Sequence, residues 1–227
     1  MFLRRLIYSI FWNTGIYGTA LFLSAGTFHW WRAWVVIGLI ALATVAIMLL
    51  VFRTRPDLLA ERMKGMVQKG QPLSDRVIVL AFLFSYAASI WFIPQDVFHL
   101  HLLPKPSVWV SSLGLVLVVA GWMTIALVFR ENSFAAPVVK HQEARGHKVV
   151  DTGVYKVVRH PMYAGILLFG VGMALWLESY AGALVALIPI GVLAVRIVFE
   201  ERFLREELQG YDSYTERVRY RLIPFVW

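Results

Sequence analysis

The stretch that decides the architecture is RHPMYAGILLFGVGMALWLESYAGALVALIPIGVLAVRIVFEE, residues 159–201. It opens on Arg159-His160-Pro161-Met162-Tyr163 and closes on Arg196 with Glu200-Glu201, and almost everything between the two polar clusters is apolar. Charge beside lipid is costly, so each cluster is either a head-group anchor or part of a functional site. The apolar block from Met162 to Phe199 is too long for one crossing and is interrupted at Glu178-Ser179-Tyr180. Split there, arms of about 16 and about 19 residues rising about 1.5 Å per residue read as a tight helical hairpin with a slightly short first arm. Met162 to the turn and the turn to Arg196 are each about 22 Å, so Arg196 is expected back at the level of Pro161, where the two clusters meet.

The rest of the chain fits that reading. Of 227 residues, 59% are hydrophobic, 15% aromatic and only 16% charged, which excludes an ordinary soluble domain. Further apolar runs at 6–28, 31–52, 77–98 and 108–129 each approach the roughly 20 residues of a spanning helix. The expected fold is therefore an all-α integral membrane protein with about six apolar helical segments. Its last two form the hairpin, with the site at its cytoplasmic end. A single domain over 1–227 is expected, with N-terminal spanning helices over 1–107 and a core over 108–227 that carries a long loop at 130–160. The first apolar run follows Arg4-Arg5 without a small-residue cleavage site, so it reads as a retained segment. With no cysteine, disulfides, thiolate metal sites and thiol nucleophiles drop out.

The net charge of +8 is not spread as a nucleic-acid-binding face. With six crossings, the dense groups of lysine and arginine share one side, and only Arg32 and Lys105 fall on the other. The positive-inside rule then makes both termini and the site cytoplasmic, and the basic side favours anionic lipid head groups.

Three connections matter. In Pro56-Asp57-Leu58-Leu59-Ala60-Glu61-Arg62-Met63, Leu58, Leu59 and Met63 recur at helical spacing beneath a charged face, which predicts an interfacial amphipathic helix. The outer pair His99-x-His101 has no third ligand nearby, so no metal site is expected. The stretch from Arg130 to His160 is long and polar, and carries Asn132, Gln142, Glu143, His147, Tyr155 and the turn Asp151-Thr152-Gly153. It leads into Pro161, which suits the first helical position because its missing amide hydrogen would have been unpaired there. The amides just beyond it, at the positive end of the helix dipole, are a natural place for a carboxylate or phosphate. At the second cluster, Arg196 and Glu200 share a helix face. Glu201 with Arg205, and Arg202 with Glu206, are expected as solvated i,i+4 pairs.

In order and spacing, Gly153-x-Tyr155, Arg159-His160-Pro161-Met162-Tyr163-x-Gly165, Arg196-x-x-x-Glu200-Glu201, Leu204, Gly210-Tyr211-x-x-Tyr214 and Leu222-Ile223-Pro224 resemble the isoprenylcysteine carboxyl methyltransferase family. That family is similar also to phospholipid N-methyltransferases. The resemblance covers about the last hundred residues, with Val154 standing where the pattern often has proline. It implies an S-adenosylmethionine site at the cytoplasmic end of the last helices, outside any Rossmann fold; no G-x-G-x-x-G follows a strand here. By this resemblance Gln142, His147, Val150, Tyr155, His160, Pro161, Met162, Tyr163 and Glu200 line the cofactor pocket, and Arg196 faces the acceptor.

The implied chemistry suits these residue types. Displacement at a sulfonium methyl by a carboxylate needs alignment more than proton transfer. Glu200 suits the cationic part of the cofactor, and Arg196 suits an anionic acceptor. An amine acceptor requires a base, for which His160, Glu201 or a tyrosine is open; Arg196 and Glu201 are accordingly the candidate catalytic residues. The expected partner is a lipophilic acceptor entering from the bilayer, with isoprenylcysteine, phospholipid amines and small hydrophobic metabolites all open, and with no nucleic acid. A sterol-type membrane reductase is the alternative enzyme.

Overall fold

The computed structural model describes residues 2–68, 71–138 and 146–227. Five helical stretches are long and apolar enough to cross a membrane: Phe2–Leu23, Trp31–Phe52, Leu73–Leu100, Val108–Glu131 and Tyr180–Glu207; Pro161–Trp176 is a shorter sixth. We label the first two α1 and α2, and the small helix Pro56–Arg62 α3. Leu73–Leu100 is α4, Val108–Glu131 α5 and Pro161–Trp176 α6. The last crossing divides at Ala186 into α7 (Tyr180–Val185) and α8 (Leu187–Glu207), and α9 is Tyr211–Arg217. No strand occurs among the described residues. The chain is an all-α, multi-pass membrane protein.

The starts of the helices follow from local chemistry. Ser107 accepts the Val110 amide at the head of α5, and Ser179 accepts the Gly182 amide at 2.7 Å at the head of α7. Pro161 opens α6. Between α6 and α7 the chain reverses at Glu178, which takes the left-handed conformation (φ 69°), while the Ser179 amide donates back to Ala174 O at 2.9 Å. Such a backbone is costly for a residue with a Cβ. Arg32 holds it: the guanidinium pairs with Glu178 at 3.1 Å, donates to Trp176 O at 2.8 Å and lies over the Trp31 and Trp176 rings. The arginine expected alone on its side of the membrane thus ties α2 to the α6–α7 turn.

The expected pairing of the last two arms is replaced along most of their length. The long neighbour of α6 is α5 and that of α8 is α4, while α6 and α8 touch only sparingly. The reason is a seam of glycines. A Cβ on Gly121 would stand 2.7 Å from Gly165 O and 2.7 Å from Phe169 N, and one on Gly114 would stand 2.8 Å from Gly172 O. Gly165 and Gly172 are blocked reciprocally by the Gly121 and Gly114 carbonyl oxygens at 2.9 and 2.7 Å. Two antiparallel backbones therefore lie in contact, the close approach that small residues permit inside a bilayer.

Helix α3 also departs from expectation. Leu58 and Leu59 are buried against Ile47, Phe52 and Phe129, so its apolar face is covered by protein rather than lipid, and Met63 is left exposed. Phe2 and Leu6 join the same cluster, which places the start of α1 at the Pro161 end of the bundle. The chain after α9 returns there too, since the Arg159 and His160 amides donate to Tyr220 O and Arg221 O, each at 2.9 Å.

Gly121→Ala is expected to lower stability by about 1–3 kcal/mol, because the methyl must force the seam apart. Gly38→Ala, where an added Cβ meets nothing within 4 Å, is expected to be neutral or stabilising. Thermal unfolding in detergent compares them, and equal midpoints would show that the seam tolerates a side chain.

Candidate active site

The start of α6, the end of α8, helix α9 and the stretch leading from α5 to α6 enclose a cavity of about 120 Å³. Of the nine residues expected to hold a cofactor, His147, Val150, Tyr155, His160, Pro161, Met162, Tyr163 and Glu200 line it. Gln142 lies outside the described residues. The carboxylate and the phenol come from opposite arms: the Tyr163 hydroxyl donates to Glu200 Oε2 at 2.7 Å. His160 stacks on Tyr163 with parallel rings 5.6 Å apart. Two of the amides expected to be open to an anion are engaged, because Tyr163 N and Ala164 N both donate to His160 O.

Several lining residues carried no assignment from sequence. Asn132 ends α5, donates to the Tyr155 hydroxyl at 2.9 Å and accepts the Phe134 amide at 2.7 Å, fixing the first turn beyond the helix. Tyr214 donates to Tyr155 O at 2.8 Å, and Tyr211 lines the cavity beside it. Their three-residue spacing after Gly210, which takes φ 85° at the head of α9, was the available signal, since it sets both rings on one helix face. Burial pushes the Tyr155, Tyr211 and Tyr214 phenols above their ordinary range, with nearby Glu200 or Glu201 adding to the effect at Tyr155 and Tyr211. All three stay protonated at neutral pH, so none serves there as a base.

The two candidate catalytic residues stand elsewhere. Arg196 lies off the cavity with its guanidinium held at both ends: Nε donates to Asp75 Oδ1 at 3.1 Å and Nη2 to Pro137 O at 3.0 Å, with the Tyr163 ring 5.9 Å away. Its partner is thus Asp75, at the head of α4, and only the fold brings that residue to it. Glu201 is buried and accepts from Arg159 Nε at 2.6 Å and Arg221 Nε at 3.0 Å, with His160 Nε2 at 3.3 Å. Arg159 also donates to Val218 O and Arg219 O. The expected solvated pair with Arg205 is replaced, for Arg205 binds Asp212 and Thr215. With two guanidiniums on its oxygens, Glu201 is not disposed to take a proton. It clasps the chain after α9 onto the start of α6.

A second, larger cavity of about 560 Å³ lies among α1, α2, α4 and α6. Tyr17, Phe52, Phe82, Tyr86, Phe129 and Phe169 are among its mostly apolar walls, and it shares Met162 with the first cavity. Arg62, at the end of α3, lines it. Burial is the main cause that lowers the Arg62 guanidinium to about 10, so it remains a cation at neutral pH.

Glu201→Gln leaves the buried Arg159 and the half-buried Arg221 facing a neutral amide. Loss of one partner of a buried ion pair costs about 3–5 kcal/mol. Exposed Glu206→Gln is expected to cost under about 1 kcal/mol. Unfolding midpoints and protease sensitivity after Arg217 measure the contrast, and equal effects would defeat the clasp.

A family model described as phospholipid methyltransferase matches residues 109–209. Protein-S-isoprenylcysteine O-methyltransferase B of Arabidopsis thaliana is 30% identical over 184 residues, which are 77% of this chain and 88% of that protein. A probable protein-S-isoprenylcysteine O-methyltransferase of Oryza sativa subsp. japonica is 34% identical over 121 residues, 52% of this chain and 62% of its own length. The Mus musculus protein-S-isoprenylcysteine O-methyltransferase is 30% identical over 131 residues, 54% of this chain and 44% of its own. The matched region takes in both polar clusters and the helices that join them, and the agreement with the Arabidopsis protein runs through most of both chains. The chain belongs to the isoprenylcysteine carboxyl methyltransferase family and is a membrane methyltransferase.

Proposed function

We propose that the protein transfers the methyl group of S-adenosylmethionine to the carboxylate of a lipophilic acceptor of the prenylated-cysteine class. The observation that carries the reading is that two unlike cavities share Met162 in their walls, one small and lined by polar and apolar groups alike, the other large and mostly apolar. The residues of the first suit the cofactor by their chemistry. Glu200 offers a carboxylate to a cationic centre, and Phe134, His147 and Tyr155 offer ring faces that suit a purine and a sulfonium. At about 120 Å³ the cavity is below the roughly 300 Å³ at which ligand pockets begin, so binding has to widen it. When bound, S-adenosylmethionine supplies an electrophilic methyl and a leaving group that departs as a neutral thioether.

The protein's own contribution is alignment. Tyr163 fixes Glu200 through its hydroxyl, Asn132 fixes Tyr155, and the apolar cavity leads a lipid tail from the bilayer to Met162. Arg196 is assigned to positioning, since it joins Asp75 to the segment at Pro137 behind Tyr163. A carboxylate acceptor needs no base, in keeping with buried phenols that stay protonated. The match to a model described as phospholipid methyltransferase supports a phospholipid amine as second reading.

The dense lysine and arginine groups fall at the Pro161 end, with Arg32 and Lys105 at the other, so the site and both termini are assigned to the cytoplasm. With no native cysteine, labelling tests this directly. Lys105→Cys is expected to react with an impermeant maleimide on intact cells, and Glu206→Cys only after lysis; the reverse pattern inverts the assignment.

Calorimetry on detergent-purified protein is expected to show S-adenosylmethionine binding that Glu200→Gln and Tyr163→Ala weaken at least about tenfold, equivalent to 1.4 kcal/mol. Glu206→Gln should bind as the wild type does. Transfer from labelled cofactor to a panel of prenylcysteines, phosphatidylethanolamine and fatty acids then reads the acceptor, and methylation of the amine alone would replace the carboxylate reading.

A further inference from the structure

We infer that Arg62 is the group that receives the acceptor's carboxylate, holding it at the junction of the two cavities. This rests on the carboxylate reading above and adds the residue that selects it.

Arg62 lines the larger cavity beside Met162, the residue that both cavities share. Its protein contacts are neutral and loose. Nη1 stands 3.3 Å from Ala135 O and 3.8 Å from Met162 Sδ, and the guanidinium lies 4.7 Å from the centre of the Phe129 ring. Nε and Nη2 have no partner among the described residues. The surrounding carboxylates are engaged by other groups: Glu61 by Lys64, Asp75 by Arg196 and Gln71, Glu200 by Tyr163. Among the described residues this half-buried guanidinium meets only a carbonyl, a thioether and a ring, so its charge is left for an anion to complete. Two free N–H groups in a planar fork match the two oxygens of a carboxylate. Arg196, expected in this role from sequence, already has Asp75 and Pro137 O, and lines neither cavity.

The placement explains how an apolar cavity selects an acid. An acceptor whose tail fills the space toward Phe82, Tyr86 and Phe169 would bring its polar end to Arg62 and Met162, next to the cavity of Glu200. An amine head, cationic before methylation, would meet a fixed positive charge there. In the transfer one carboxylate oxygen forms the new bond to the methyl carbon as the carbon–sulfur bond breaks. That electron pair stays on sulfur, so anion and sulfonium become a neutral ester and a neutral thioether, and no proton moves. Arg62 can hold the other oxygen throughout.

The test compares binding of N-acetyl-S-farnesylcysteine and its carboxamide to the full-length protein in detergent, with cofactor affinity measured separately. The wild type is expected to prefer the acid at least tenfold. Arg62→Gln should abolish that preference while the carboxamide and S-adenosylmethionine affinities stay within twofold, and Arg62→Lys should retain part of it because the charge remains without the fork. Thermal unfolding checks that the variants fold; should Arg62→Gln not fold, a loss of acid preference in Arg62→Lys of threefold or more carries the inference. A wild type that binds acid and carboxamide alike, an Arg62→Gln that keeps the preference, or an Arg62→Lys with the full preference overturns the role of Arg62 and leaves the acceptor reading standing. A wild type that binds neither ligand defeats both.

Discussion

The contact between two backbones at Gly121 and Gly165 is the constraint on which the site depends. Within a bilayer, apolar side chains gain nothing by leaving lipid for one another, so helices associate where shape allows close approach. With the carbonyl oxygens of Gly121 and Gly165 each against the other helix's glycine, α5 runs about 10 Å past the start of α6 at Pro161 before it ends at Asn132. The described residues on either side of that step are tied together there, since Asn132 holds both the Phe134 amide and the Tyr155 hydroxyl. A cavity with polar groups in its walls, at the edge of an apolar bundle, follows.

Charge completes what packing begins. Three buried or half-buried carboxylates meet near the Pro161 end, and each has a different neighbourhood. Asp75 faces Arg196 and closes α4 onto α8; Glu201 gathers Arg159, His160 and Arg221 and closes the chain after α9 onto α6; Glu200 accepts one phenol and keeps its place on the cavity. Arginine, always charged and forked, suits the first two duties because it reaches a carboxylate and backbone carbonyls together. Glu200, which accepts from a phenol and not from a guanidinium, is the one of the three that lines the cavity.

The same division applies to the cavities. Methyl transfer to a lipid requires a water-soluble cofactor and a membrane-soluble acceptor to meet without either crossing the other's solvent. A cavity of mixed polarity sharing one wall residue with an apolar one suits that requirement, and Met162, unbranched and polarizable, adapts to both sides. The far end of the bundle is built differently, with Arg32, Glu178, Trp31 and Trp176 closing one another off.

Sequence alone determined the levels. Hydropathy placed the crossings, Pro161 placed the start of α6, and equal arm lengths returned Glu200 to Tyr163, because rise per residue is a property of the helix itself. The clustering of Tyr155, His160, Met162 and Tyr163 was legible through a motif whose order and spacing are local, and that of His147 and Val150 through the family resemblance alone. Tertiary structure decided which neighbour each face meets. That α6 lies against α5, that Arg196 answers to Asp75, that Glu201 clasps Arg159 and Arg221, and that Arg62 points into the bundle all depend on rotation about helix axes and on contacts between distant segments. Hydropathy is nearly uniform around a helix surrounded by lipid, so it carries no record of that rotation, and packing and ion pairing set it.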